Sequence, residues 1–406
     1  MASTTEQKDQ DLGAPQFAYH AVVEPIFIVG VMLASCYFNR LRNFSIIPSS
    51  KQDQGLLGQS KLEPWDEDDV HDETERLNLA AAAASPTSSL TEVHPPKQRS
   101  CCGAPIRTPN SSRYAKYWHS RFIQKFPFLV EMFYWAVNLG FYVGVKNASE
   151  LIAATDGIWQ TAENHGKAVL WFEHEGPFSF LFPLREIDVQ AFFRNDHQTM
   201  LTILNRAYSL IHIPVTVSFL AWYYYAAPTH AQFAEARRMM TLTNLFSFVV
   251  FTTYPCMPPR LLPEEYGFFD TVRREDAESI YATNKFFNQL AAFPSLHFGY
   301  SFCIGTVLLY HSGLFRRRLA PREKRLSKMW QVFFVALSIL YPAFVLTIIV
   351  ATANHYWLDA MAATGVVLVA WLCNRMLLGL LPLEDLFLWC VKLEKPFPTT
   401  GNRGGK

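Results

Sequence analysis

Apolar residues along this chain gather in long blocks separated by polar stretches. About 20 mostly apolar residues in a row are what a helix needs to cross a bilayer, fewer where the ends are aromatic. Seven stretches meet or approach that length: 17–38, 128–145, 201–227, 242–256, 296–310, 332–350 and 358–381. The first contains Glu24 and Pro25, and its N-terminal flank (Glu6, Lys8, Asp9, Asp11) lacks the basic region of a secretory signal. The fourth and fifth are short and are extended by motif residues at their ends. The pattern predicts an all-α, polytopic membrane helix bundle of seven spans, the first of them N-terminal.

Two inserts interrupt the blocks. Residues 49–112 hold an acidic run over 63–75, five alanines at 80–84 and Ser/Thr/Pro-rich sequence, a composition that buries no core and predicts disorder. Residues 146–200 alternate aromatic side chains (Trp159, Trp171, Phe172, Phe178, Phe180, Phe192) with acids. That insert reads either as helices lying on the membrane surface or capping the bundle, or as an ordinary folded loop. The expected organisation is an N-terminal segment with a span (1–48), a disordered cytosolic linker (49–112), a membrane domain (113–385) and a cytosolic tail (386–406).

Lys and Arg in short loops set orientation. The most basic stretch, Arg316, Arg317, Arg318, Arg322, Lys324, Arg325 and Lys328, is assigned to the cytosol, and alternation sends Arg237-Arg238, Arg40, Arg42 and Lys392–Lys406 to the same side. Loops 146–200, 257–295 and 351–356 then share the opposite face.

Composition agrees. The chain is 50% hydrophobic and only 17% charged, against about a quarter charged in soluble domains. A net charge of +1 predicts no nucleic-acid partner. The seven cysteines form neither a disulfide framework nor a metal-ligand pattern. Cys101 and Cys102, beside Lys97, Arg99 and Arg107, read as acylation sites near a membrane or as two thiols in a linker.

The residues with chemistry fall on the non-cytosolic face in three clusters: Tyr254 to Leu262 around Arg260, Phe293-Pro294-Ser295-Leu296-His297, and Asn354-His355-Tyr356-Trp357-Leu358-Asp359. His355 and Asp359 are four apart, so on a helix they share a face. A carboxylate on one imidazole nitrogen fixes the tautomer and leaves the other nitrogen basic, as a nucleophile needs. Read alone, the pair is also an ordinary structural contact. Pro294 and Ser295 suit a helix start, which puts His297 in an opening turn favourable to an anion and able to protonate a departing alkoxide. Arg260 is a candidate phosphate clamp, or else an interfacial arginine snorkelling from a helix end. Ser295 joins it as a candidate phosphate-binding residue, and Lys285 is a weaker one.

These motifs resemble the type 2 phosphatidic acid phosphatase superfamily, whose members carry PSGH and SRxxxxxHxxxD signatures. Pro294-Ser295-Leu296-His297 stands for the first, and His355 with Asp359 for the end of the second. The chain is more similar to the branch containing inositol phosphorylceramide synthase, at Pro258-Pro259-Arg260-Leu261-Leu262, Gly267-Phe268-Phe269-Asp270-Thr271, Phe293 to His297 and Asn354 to Asp359. The resemblance covers roughly residues 128–385. It implies a six-helix bundle without metal or other cofactor, His355 as a nucleophile forming a phosphohistidine, Asp359 as its orienting partner and His297 as acid/base. Two departures bear on substrate. The KxxxxxxRP pattern is absent, and Ala351-Thr352-Ala353 precedes Asn354 where an arginine is expected. Fewer cations suit a phosphodiester better than a phosphate monoester.

The sequence-based expectation is an integral endomembrane (Golgi or ER) enzyme, its site facing the lumen, that moves a phosphate-linked head group, plausibly phosphoinositol, between membrane lipids. The alternatives are a lipid phosphate or polyprenyl diphosphate phosphatase, and a non-catalytic scaffold or transporter. No protein partner is indicated.

Overall fold

The computed structural model describes residues 20–42, 44–47, 96–101, 104–153, 157–210, 212–270, 290–315 and 325–400. Helices dominate: α1 (His20–Phe38), α2 (Trp118–Lys125), α3 (Phe128–Ala153), α4 (Ile158–His174), α5 (Glu186–Asp196), α6 (Gln198–Leu210), α7 (His212–Ala226), α8 (His230–Thr253), α9 (Leu296–His311), α10 (Lys328–Ala351), α11 (Trp357–Leu372) and α12 (Leu381–Cys390).

Each expected span corresponds to helix, but not always to one continuous apolar helix. By length and composition Phe128–Val145 and Lys328–Ala351 are able to cross a membrane. Trp357–Leu372 with Asn374–Cys390, bent by 54°, makes a third, and Val23–Phe38 is a shorter apolar helix. The 201–227 stretch is covered by α6 and α7 on either side of residue 211, which lies outside the described residues, and 242–256 is the apolar end of the longer α8, whose earlier turns carry Arg237 and Arg238.

Side chains are distributed in a way that favours lipid over water. Val137, Leu139 on α3, Val332, Ile339, Leu340 on α10 and Leu368, Trp371, Leu372 on α11 are exposed. A contiguous apolar surface of that kind is a liability in water and the solvent-facing surface of a bundle in lipid. Polar groups meanwhile turn inward. Arg237 on α8 pairs with Glu131 on α3 at 2.6 Å and lies over the Tyr134 ring, and Arg238 bonds the Asn374 side chain at 2.8 Å.

The largest core packs Tyr223 and Tyr224 of α7, Phe233, Met240 and Leu242 of α8, Ile304 and Leu308 of α9, Phe334 of α10 and Val367 of α11. A second cluster at one end joins α6, α9, α10 and α11 through Leu204, Tyr208, Phe298, Ile348, Ile349 and Ala360. A third fastens α4 to the loops 254–268 and 290–293 and to Tyr356. The 146–200 insert is therefore a folded cap, with α4 and α5 seated on the bundle end.

Two expectations need correction. Part of the stretch read as a disordered linker is an antiparallel hairpin, β1 (Lys97–Cys101) against β2 (Ala104–Thr108), so among the described residues the fold is all-α apart from these strands. Residues 49–95, 102 and 103 of that linker, Cys102 among them, lie outside the described residues. Of the stretch read as a tail from 386, the described part belongs to the folded unit, since α12 runs through its start and residues 394–399 bond to the bundle. The reason is charge: buried Asp385 accepts from Arg99 Nε at 2.9 Å and Thr108 Oγ1 at 2.8 Å, with Lys97 Nζ at 3.5 Å. Thr399 Oγ1 donates to the Asn39 carbonyl and the Phe397 amide to Gln124.

Close approach of α9 and α10 depends on Gly305. A Cβ there would stand 2.6 Å from the Ser338 carbonyl oxygen and 2.9 Å from Pro342 Cγ, and small residues are what let helices pack closely in lipid. Gly305→Ala is expected to separate the two helices and lower stability by about 1–3 kcal/mol, read as an earlier thermal transition of the detergent-solubilised protein.

Candidate functional site

The three sequence clusters meet at the end of the bundle. Segment 256–257 runs beside 290–292: the Cys256 amide donates to the Leu290 carbonyl and the Ala292 amide to the Cys256 carbonyl. The Ser295 amide donates to the Asp359 carbonyl, and the Arg260 amide to the Ala353 carbonyl. Tyr356, fully buried, donates its hydroxyl to the Met257 carbonyl at 2.7 Å. Loops assigned to one face by charge alone are thus in direct contact.

His355 lies just before α11 and is 4% exposed. Its Nδ1 is 2.8 Å from the Ala292 carbonyl oxygen and 3.1 Å from Asp359 Oδ2. A carbonyl oxygen only accepts, so Nδ1 carries a proton, and in the neutral ring Nε2 is the nitrogen with the lone pair. Nε2 is buried and has no hydrogen-bond partner among the described residues. Asp359 is wholly buried, and its Oδ2 also accepts the Tyr356 amide at 2.9 Å. The i,i+4 spacing read from sequence is realised as contact.

His297 occupies the second position of α9, half-buried, with its ring centroid 5.8 Å from that of His355. Two residues not expected from sequence hold its ring. Tyr208 on α6 stacks on it at 4.3 Å with planes 24° apart, and His212, which opens α7, lies at 4.5 Å. Tyr208 also reaches the His355 ring at 6.5 Å. Tyr208 and His212 are themselves four apart, the same spacing that singled out His355 and Asp359, but they sit inside a stretch read simply as a span.

Ser295 is the N-cap of α9: fully buried, its Oγ accepts the Phe298 amide at 3.3 Å. Arg260, 9% exposed, donates Nε to Asn354 Oδ1 at 2.9 Å and pairs with Asp270 at 3.0 Å. That ties the Pro258–Arg260 and Gly267–Asp270 motifs to the residue before His355. Lys285 and Thr271 lie outside the described residues.

A family model described as the PAP2 superfamily matches residues 184–321. The match takes in Arg260, Ser295 and His297, ends before His355 and Asp359, and supports the superfamily resemblance without separating out the inositol branch. No curated protein and no solved structure matches the chain.

The Ser295 geometry makes a specific demand. Ser295→Ala should cost about 1 kcal/mol of stability through loss of the cap and leave affinity for a phosphate analogue such as orthovanadate unchanged. The opposite result, weaker vanadate binding at unaltered stability, would make the hydroxyl a phosphate ligand.

Proposed function

We propose that this chain is a membrane-embedded lipid phosphotransferase that moves a phosphate-linked head group, phosphoinositol, from a glycerolipid to the hydroxyl of a second lipid such as ceramide. The supporting observation is the His355 imidazole: protonated at Nδ1 against Ala292 and Asp359, unpartnered at Nε2, and 5.8 Å from the His297 ring. The match to the PAP2 superfamily supports a lipid phosphatase or phosphotransferase at the coarser level.

In the first step His355 Nε2 attacks phosphorus and the bond from phosphorus to the diacylglycerol oxygen breaks. His297 gives its proton to the departing alkoxide. In the second step the acceptor hydroxyl returns a proton to His297 and attacks phosphorus, and Nε2 is released. Asp359 stabilises the positive charge that grows on His355 in the first step. Reacting atoms must approach to about 3–3.5 Å, and the ring centroids of His297 and His355 stand 5.8 Å apart.

Three features favour transfer between lipids. Arg260 is already shared with Asp270 and Asn354, which leaves a modest positive clamp suited to a phosphodiester. An apolar cavity of about 300 Å³ beside the site is walled by Phe182, Leu184, Phe298, Leu346, Trp357 and Met361, so it draws on the opening turns of both α9 and α11 and fits a hydrocarbon chain. The charge pattern of the loops supports a non-cytosolic site, and the family resemblance a lumenal one in Golgi or ER.

Purified protein given phosphatidylinositol and ceramide should form inositol phosphorylceramide, and His355→Ala should abolish it. Release of inorganic phosphate from phosphatidic acid, without lipid product, would select the phosphatase reading. A His355→Ala protein that stayed active would remove the mechanism.

Asp359→Asn is expected to be the milder lesion. The Ala292 carbonyl still holds Nδ1–H, so the tautomer survives and only charge stabilisation is lost. The rate should fall about 10²-fold, toward the low end for removal of an acid–base partner, measured as initial velocity at saturating lipid.

A further inference from the structure

Glu173, at the end of α4, and Glu186, at the start of α5, belong to the cap and are both 0% exposed. Glu173 Oε1 accepts the Leu358 amide at 2.5 Å, and Glu186 Oε1 accepts the Trp357 amide at 3.2 Å. The preceding amide, Tyr356, goes to Asp359 Oδ2. Three consecutive backbone donors at the start of α11 therefore end on three carboxylates, two of them more than 170 residues away in sequence. We propose that Glu173 and Glu186 are positioning residues of the active site: they fix the opening turn of α11 from outside the bundle, and through it the placement of Asp359 Oδ2 and the His355 ring.

The chemistry of the pair fits that task. Two carboxylates this close do not both ionise in a buried setting. Burial, then the hydrogen bond to Glu186 and that group's negative charge, pushes Glu173 far up, so it is a neutral acid at physiological pH. Burial works the same way on Glu186, but hydrogen bonds from His174 and Glu173 outweigh it and hold its carboxyl below the usual range. His174 Nε2 is 2.7 Å from Glu186 Oε2. The result is one anion, backed by His174, at the positive end of a helix, where negative charge is stabilising. The ligand atoms of Glu173, His174 and Glu186 lie within 4.8 Å of one another, a spacing a divalent cation would accept. That same helix end disfavours a cation, and both Oε1 atoms are already committed to amides.

The inference rests on the phosphotransfer reading for its kinetic test only. Glu173→Gln keeps a neutral acceptor for the Leu358 amide, and Glu173→Leu removes it. Glu173→Leu should lower kcat about a hundredfold, the scale of a 1 Å misplacement, with KM for phosphatidylinositol unchanged because the residue touches no substrate. Glu173→Gln should recover kcat to within about a factor of two. A second readout needs no activity: the downfield imidazole N–H resonance of His355, identified by its loss in His355→Ala, should move in Glu173→Leu and stay in Glu173→Gln. An unmoved resonance in Glu173→Leu, or equal damage from both substitutions, overturns the positioning role. Stoichiometric zinc retained by the purified protein and lost in Glu173→Gln would overturn it too, in favour of a metal site. A wild-type protein without lipid transfer but with the expected resonance pattern would discard the function and keep the inference.

Discussion

An α-helix begins with amides that its own backbone cannot satisfy, and at the start of α11 this deficit organises the whole site. Left unpaired in a buried position, each such donor costs roughly 1–3 kcal/mol. Here Tyr356, Trp357 and Leu358 find Asp359, Glu186 and Glu173. Asp359 serves the helix and the histidine with the same oxygen: Oδ2 takes both the Tyr356 amide and His355 Nδ1. The cap of a helix and the orientation of an imidazole are thus one arrangement, and disturbing the first moves the second. The α9 start is built on similar lines, with Ser295 capping Phe298 while its own amide holds the Asp359 carbonyl. Two helix N-termini are joined there by a backbone bond, which brings His297 and His355 onto one small volume.

Much of this was legible in sequence wherever the signal was local. The HxxxD spacing becomes a 3.1 Å contact, Pro294-Ser295 marks a real helix start, and charge alone grouped the loops that meet. What escaped was non-local. Glu173 and Glu186 look like surface acids among the aromatic residues of an insert, and nothing in their neighbourhood announces amide partners so distant in the chain. Tyr208 and His212 were hidden because an apolar block is read for its length rather than for the few polar side chains within it. In the fold, the 54° bend after α11 interrupts a block whose hydropathy is continuous. The hairpin over 97–108 has no apolar alternation of its own. Its order comes from Asp385, which gathers Lys97, Arg99 and Thr108 from nearly the other end of the chain.

The same geometry bears on the identity of the acceptor. Ser295 and Asp359 are completely enclosed, and His355 and Arg260 nearly so. Closing a site in this way strengthens the electrostatic interactions inside it and keeps bulk water from intercepting a reactive intermediate. A hydrolase needs water as its second reactant and gains little from excluding it. A transferase between lipids gains a great deal, because its acceptor arrives from the bilayer at low local water activity. The apolar cavity is lined by Phe298 and Trp357, next to His297 and two residues from His355 in the chain, while α4 and α5 hold this end of the bundle through Glu173 and Glu186. A cap that buries two carboxylates to hold one helix end is a costly structure, and under the proposed mechanism it serves to keep water from a phosphorylated imidazole.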